Sequence, residues 1–96
     1  VWFRGNGDGT FEPARTLVAV TDPNARLGGV AVGDIDADGD PDVAFGDYRL
    51  DTISWQSNNG DGTFAAPQAL AASGGSTVET LADLTGDGRP DILSLE

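Results

Sequence analysis

The sequence predicts an all-β fold built from a repeated unit of four short antiparallel strands. Three observations carry this expectation. Two motifs recur in alternation along the chain. Its apolar residues fall in runs of strand length bounded by Gly, Asn, Asp and Pro. No segment holds a helical period over about ten residues.

The first motif runs from Trp2 to Leu17 (WFRGNGDGTFEPARTL) and returns from Trp55 to Leu70 (WQSNNGDGTFAAPQAL). The second runs from Val32 to Asp42 (VGDIDADGDPD) and returns from Leu81 to Asp91 (LADLTGDGRPD), after a longer connection around Thr21 to Gly29. The motifs alternate, hairpin half before Asp-rich half. The 96 residues therefore form one segment in three parts: an intact repeat at 29–72, the second half of a blade at 1–20 and the first half of another at 77–96.

Each strand has its own local reason. Gly29 to Gly33 and Val78 to Ala82 are short apolar runs that end on an Asp loop. Asp42 to Gly46 and Asp91 to Leu95 leave those loops with β-branched residues among them. Thr52 to Gln56 alternates and meets Asn59-Gly-Asp-Gly62, a hairpin turn whose residues tolerate positive φ. Gln68 to Ala72 follows Pro67 and reads as an exposed last strand, since proline is kept to sheet edges and strand starts. Four such strands per repeat describe a β-propeller blade, and the chain holds two blades' worth. A blade is a flat sheet that buries its faces only against neighbours.

Composition narrows the chemistry. Sixteen acids against five arginines give a formal net charge of −11, which repels nucleic acid and anionic membranes. Cysteine, histidine and lysine are all absent, so the expectation is a non-enzymatic protein without disulfides or a thiolate or imidazole metal site. An enzyme here would depend on paired carboxylates, which the loops explain better as metal ligands. No run approaches the roughly 20 apolar residues that span a bilayer, so membrane insertion is not expected. The chain starts at Val1 without a signal peptide and reads as trimmed, a fragment or an engineered piece.

Asp34-Ile-Asp-Ala-Asp-Gly-Asp-Pro-Asp42 places carboxylates at alternate positions, with Gly39 where the loop must turn sharply. A hard cation such as Ca²⁺ takes about six to eight oxygens at about 2.3–2.6 Å, and alternate residues of a tight loop converge at that range. The expected ligands are the side chains of Asp34, Asp36, Asp38 and Asp42 and the main-chain carbonyl of Asp40. In the second loop Asp83, Asp87 and Asp91 keep the frame, Thr85 replaces one carboxylate and Arg89 stands at the carbonyl position, so weaker binding is expected. Two Ca²⁺ per chain would bring the formal charge from −11 to −7. An EF-hand is excluded, because Phe45 and Ser94 stand where that loop requires its bidentate Glu, and strands flank the loops.

Asp8 and Asp61, although ligand-like, belong to hairpin turns. Trp2 and Trp55 share one strand position and read as packing between blades rather than as sugar platforms. Phe11, Phe45 and Phe64 read as core. Asp47, Tyr48, Arg49 and Asp51 form a polar connection expected to face solvent.

The segment GDIDADGDPDVAFG, with its calcium loop and the pair Phe45-Gly46, resembles the FG-GAP repeat of integrin-type propellers, and NGDGTF is similar to the related VCBS repeat. The second copy departs from the motif at Ser94-Leu95. The resemblance implies a propeller of roughly six to eight blades, one calcium per loop, and an extracellular or cell-surface setting. It implies an adhesion or ligand-binding scaffold with a protein or glycan ligand, or a lectin with sites between blades. Two blades do not close a ring, so the chain is expected to assemble with copies of itself as a homo-trimer or homo-tetramer.

Overall fold

A computed structural model describes residues 1–17, 24, 26–47, 51–71 and 77–95. Among the described residues there is no helix, and the strands are β1 (Leu27–Gly33), β2 (Asp42–Asp47), β3 (Thr52–Gln56), β4 (Gln68–Ala71), β5 (Thr77–Ala82) and β6 (Asp91–Leu95). The first four form one antiparallel sheet in chain order, and β5 and β6 form a second sheet. This is an all-β, blade-like arrangement. β1 starts earlier than expected because Gly28-Gly29 admits a bulge: the register shifts between Gly28 and Val30, and Gly29 sits at φ 71°. Part of the connection at Thr21 to Gly29, together with Tyr48, Arg49 and Ala72, lies outside the described residues.

Residues 1–17 form a further hairpin that copies β3–β4. Trp2 bridges Arg15 and Gly5 bridges Phe11, as Trp55 pairs with Gln68 and Asn58 bridges Phe64.

The register sorts the central sheet into two faces. Ala31 pairs with Ala44, Ala44 with Trp55 and Gly46 with Ile53, so these side chains share one face. There Ala31, Ala44 and Ile53 are buried, with Trp55 and with Leu81 and Ile92 of the second sheet packed against them. The opposite face carries Val30, Val32, Val43 and Phe45 and is turned toward the N-terminal hairpin, whose Trp2 meets Phe64 edge-on with ring centroids 6.4 Å apart. Small residues let the second sheet approach closely. A Cβ on Gly33 would lie 3.0 Å from Leu81 Cδ1 and 3.4 Å from its Cβ. Gly33→Val is therefore expected to cost about 1–3 kcal/mol by overpacking. It should lower the urea midpoint without changing the slope; an unchanged midpoint would mean the two sheets do not meet at this residue.

Two expectations need correction. Phe11 is not core: it is 65% exposed. Its counterpart Phe64 is shielded by the neighbouring hairpin through Trp2, and no described element covers Phe11 in the same way. Asp47 does not face solvent: β2 runs through it, Leu27 and Thr52 flank it, and it is 5% exposed with Arg26 N–H donating to it at 3.5 Å. Trp2 is engaged by Phe64 and by the Arg15 guanidinium, 5.3 Å from its ring centroid.

Candidate metal centre

The loop between β1 and β2 is folded by its own aspartates. Asp34 accepts the N–H of Asp38 at one carboxylate oxygen and of Gly39 at the other, at 3.1 and 2.9 Å. Asp36 accepts from Asp38 N–H at 3.4 Å, and Asp38 from Asp40 N–H at 2.9 Å. Asp42, fully buried at the start of β2, accepts from Ile35 N–H at 2.8 Å and Asp36 N–H at 3.3 Å on one oxygen. Two residues take left-handed backbone to make the turn, Gly39 at φ 90° and Ala37 at φ 61°. The alanine carries a strain of roughly 1–2 kcal/mol, and the second loop has Gly86 at the corresponding place, φ 76°.

This winding brings one oxygen each of Asp34, Asp36, Asp38 and Asp42 within 4.8 Å of one another. Two oxygens on one Ca²⁺, each about 2.3–2.6 Å from it, lie at most about 5 Å apart, so the four fit a shared ion. The set is oxygen only and suits a hard cation. Asp40 stands outside the group. Its carboxylate turns to the facing hairpin, where a Cβ on Gly60 would lie 3.0 Å from Oδ2, leaving its main-chain carbonyl as the atom available to the loop.

The charges feel one another. The Ser57 hydroxyl, donating at 2.8 Å, holds the Asp36 carboxyl below its ordinary range. Asp38 is displaced upward. The Asp40 N–H bond favours its ionised form, but partial desolvation and the adjacent negative charges of Asp36 and Asp40 outweigh it. A cation among these groups would remove the repulsion.

The loop between β5 and β6 repeats four of these scaffold bonds. Asp83 accepts from Asp87 N–H at 3.2 Å and Gly88 N–H at 2.8 Å, Asp87 from Arg89 N–H at 2.9 Å and Asp91 from Leu84 N–H at 2.8 Å. A further N–H comes to Asp83 from Gly86 at 2.7 Å. The N–H groups of Gly88, Gly86 and Asp87 hold Asp83 below the ordinary carboxylate range. With Thr85 in the place of Asp36, Asp83, Asp87 and Asp91 form no converged carboxylate trio at the spacing of the first loop. Arg89 takes the position of Asp40.

Sequence reasoning passed over Ser57 and Asn58. Besides the Ser57 bond to Asp36, Asn58 N–H donates to the second Asp42 oxygen at 2.8 Å and its side-chain amide to Pro41 O at 3.0 Å. These two residues clamp the loop to the β3–β4 hairpin. In the first copy Arg4 and Gly5 occupy their positions, so comparing the repeats hid them; their place directly before the NGDG turn was the available signal.

The NGDGTF turns close on themselves. Asp61 accepts from the Thr63 main-chain N–H at 3.0 Å and from its hydroxyl at 2.5 Å, while Asp8 accepts from those of Thr10 at 2.9 and 2.5 Å. The threonine hydroxyl is the main cause that holds both carboxyls below their ordinary range. Thr63→Val is expected to move the Asp61 titration upward toward the ordinary range and leave Asp8 unmoved, read by NMR of both carboxyls. Equal shifts at both would contradict the local cause.

Blade-like sheets with an acidic loop joining their first two strands define a repeat protein of the propeller-blade class. Residues 1–45 and 34–94 match the FG-GAP-like repeat, and the chain belongs to that family. The matches overlap on the Asp34 loop, so the sequence repeat straddles the structural blade. No curated protein and no solved structure matches the chain. No helix among the described residues is long and apolar enough to cross a membrane.

Proposed function

We propose that the chain is a non-enzymatic, calcium-binding β-propeller module that serves as a self-assembling binding or adhesion scaffold at the cell surface or outside the cell. The observation that carries the reading is the convergence of Asp34, Asp36, Asp38 and Asp42 oxygens within 4.8 Å on a loop whose main chain is already wound. These residues, with the Asp40 carbonyl, would hold Ca²⁺ in the first loop, and Asp83, Thr85, Asp87, the Arg89 carbonyl and Asp91 would hold a weaker one in the second. The ion supplies positive charge at the point where like charges meet. The chain's own part is to fix the loop to the sheet through Asp42 and to the hairpin through Ser57 and Asn58.

Family membership supports the extracellular setting and the scaffold role, and the absence of His, Lys and Cys supports a role without catalysis. The test is calorimetric titration with Ca²⁺ and, separately, Mg²⁺. Two Ca²⁺ per chain with unequal affinities, and a weaker Mg²⁺ response, are expected; no heat with Ca²⁺ at millimolar concentration would reject the reading.

A further inference from the structure

Two hairpins turn through the dipeptide Asn-Gly: Asn6-Gly7 in the N-terminal hairpin and Asn59-Gly60 between β3 and β4. An asparagine before glycine is chemically labile. The glycine nitrogen can reach the asparagine side-chain carbonyl carbon, and no Cβ on the glycine obstructs the approach. The two turns share their other restraints. Asn6 N–H donates to Thr10 O at 2.9 Å and its side-chain amide to the Thr10 hydroxyl at 3.0 Å. Asn59 N–H donates to Thr63 O at 3.0 Å and its side-chain amide to the Thr63 hydroxyl at 3.0 Å. Both asparagines and both glycines are exposed, so water and hydroxide reach either turn.

The turns differ at the glycine nitrogen. The Asn58 side-chain oxygen accepts the Gly60 N–H at 2.8 Å, the two-residue closure that asparagine makes on its own main chain. In the N-terminal hairpin Gly5 stands in the place of Asn58, bridging Phe11 as Asn58 bridges Phe64. Glycine has no side-chain oxygen to offer, and among the described residues nothing accepts the Gly7 N–H. The contrast therefore lies in one side chain within the hairpin itself. The Asp40 carboxylate adds to it at the other turn: its Oδ2 would lie 3.0 Å from a Cβ on Gly60, and its negative charge opposes the loss of a proton nearby.

We infer that Asn6 is a modification site, where the side chain deamidates in water through a cyclic imide, while Asn59 in the matching turn is protected. The Gly7 N–H gives its proton to hydroxide, and the nitrogen forms a bond to Asn6 Cγ. The bond from Cγ to Nδ2 breaks, and the departing nitrogen takes a proton from water, leaves as ammonia and regenerates the hydroxide. One water then adds to either carbonyl of the imide and opens the ring. The product is an aspartate in the ordinary main chain or an isoaspartate whose main chain runs through the former side chain. In sum, asparagine and water become aspartate or isoaspartate and ammonia, with no oxidant, reductant or enzyme. A hydrogen bond on the glycine N–H opposes the first step, because it must open before the proton leaves, as in main-chain hydrogen exchange.

The change bears on the hairpin. It removes the side-chain donor that Asn6 gives to Thr10. It also brings a second carboxylate into the turn of Asp8, which already takes the Thr10 main-chain N–H at 2.9 Å and its hydroxyl at 2.5 Å. An isoaspartate also lengthens by one atom the main chain inside the closure from Asn6 N–H to Thr10 O.

The experiment is incubation of the purified chain at mildly alkaline pH, with peptide mapping by mass spectrometry of both turns over time. The Asn6 peptide should gain the mass of an amide-to-carboxyl exchange faster than the Asn59 peptide by about fivefold or more, the ratio set by one hydrogen bond of ordinary net worth. It should also resolve into aspartate and isoaspartate forms. Gly5→Asn copies the protected turn, and its Cβ meets only Phe11 ring carbons, at 3.6 and 3.9 Å, an ordinary contact. This variant should slow deamidation of Asn6 about fivefold and slow hydrogen exchange at the Gly7 N–H by a similar factor. Equal rates at Asn6 and Asn59 in the wild type overturn the inference. An Asn6 rate that Gly5→Asn leaves unchanged overturns it as well.

Discussion

Replacing Asp42 by alanine is expected to destabilise the chain by about 3 kcal/mol, seen as a lower urea midpoint. The carboxylate is fully buried and takes three main-chain N–H groups, from Ile35 and Asp36 on one oxygen and Asn58 on the other. Its loss leaves those donors without partners, at about 1–3 kcal/mol for each that stays dry; water reaching the exposed rim of the loop lowers the total. Asp42→Asn should recover part of the loss, because one oxygen still accepts, while its amide nitrogen meets an N–H on the other side. An alanine variant as stable as wild type would show that this carboxylate does not anchor the loop.

The second large effect is that of the ion. At a Ca²⁺ concentration about a hundredfold above Kd, binding to the folded state alone stabilises by about 2.7 kcal/mol. For a domain of this size that corresponds to about 10–20 °C in Tm, and EDTA should remove it. Asp38→Asn separates the ion's contribution from that of the loop, because the asparagine oxygen keeps the bond from Asp40 N–H. The Asp38 carboxyl is displaced upward in the folded chain, so its ionised form opposes folding at pH values above the ordinary carboxylate range. Asp38→Asn should therefore match or exceed the wild type in EDTA near neutral pH, yet gain less from Ca²⁺. If the variant gains as much as wild type from Ca²⁺, the first loop is not where the ion acts.

The strands of the blade were legible because two-residue alternation and turn residues act locally: Thr52 to Gln56 and the NGDG turn announce a hairpin wherever they occur. The winding of the Asp loop was legible for the same reason, since its defining contacts join residues close in sequence. Phe11 and Asp47 were misjudged because burial is set by neighbours that come from elsewhere in the chain. The same NGDGTF motif leaves Phe11 exposed and Phe64 half-buried, so motif alone does not carry exposure. The clamp of Ser57 and Asn58 was hidden because it joins two motifs that were read one at a time, and the other copy carries different residues there.

The span of the aspartate hydrogen bonds also has a consequence for the order in which the chain folds. Bonds to Asp34 and Asp83 reach five residues or fewer, whereas Asn58 reaches Asp42 across 16 and Ser57 reaches Asp36 across 21. Short closures form before long ones, because the entropy lost in closing a loop grows with its length. Each acidic turn can thus arise as a local nucleus while the hairpins are still searching. The strand pairs on either side are brought together first, and the later, slower event is the docking of a hairpin on a loop already wound. The same division separates a compact early species of paired strands from the finished blade, with the Ser57 and Asn58 bonds to the acidic loop as the latch that closes after it.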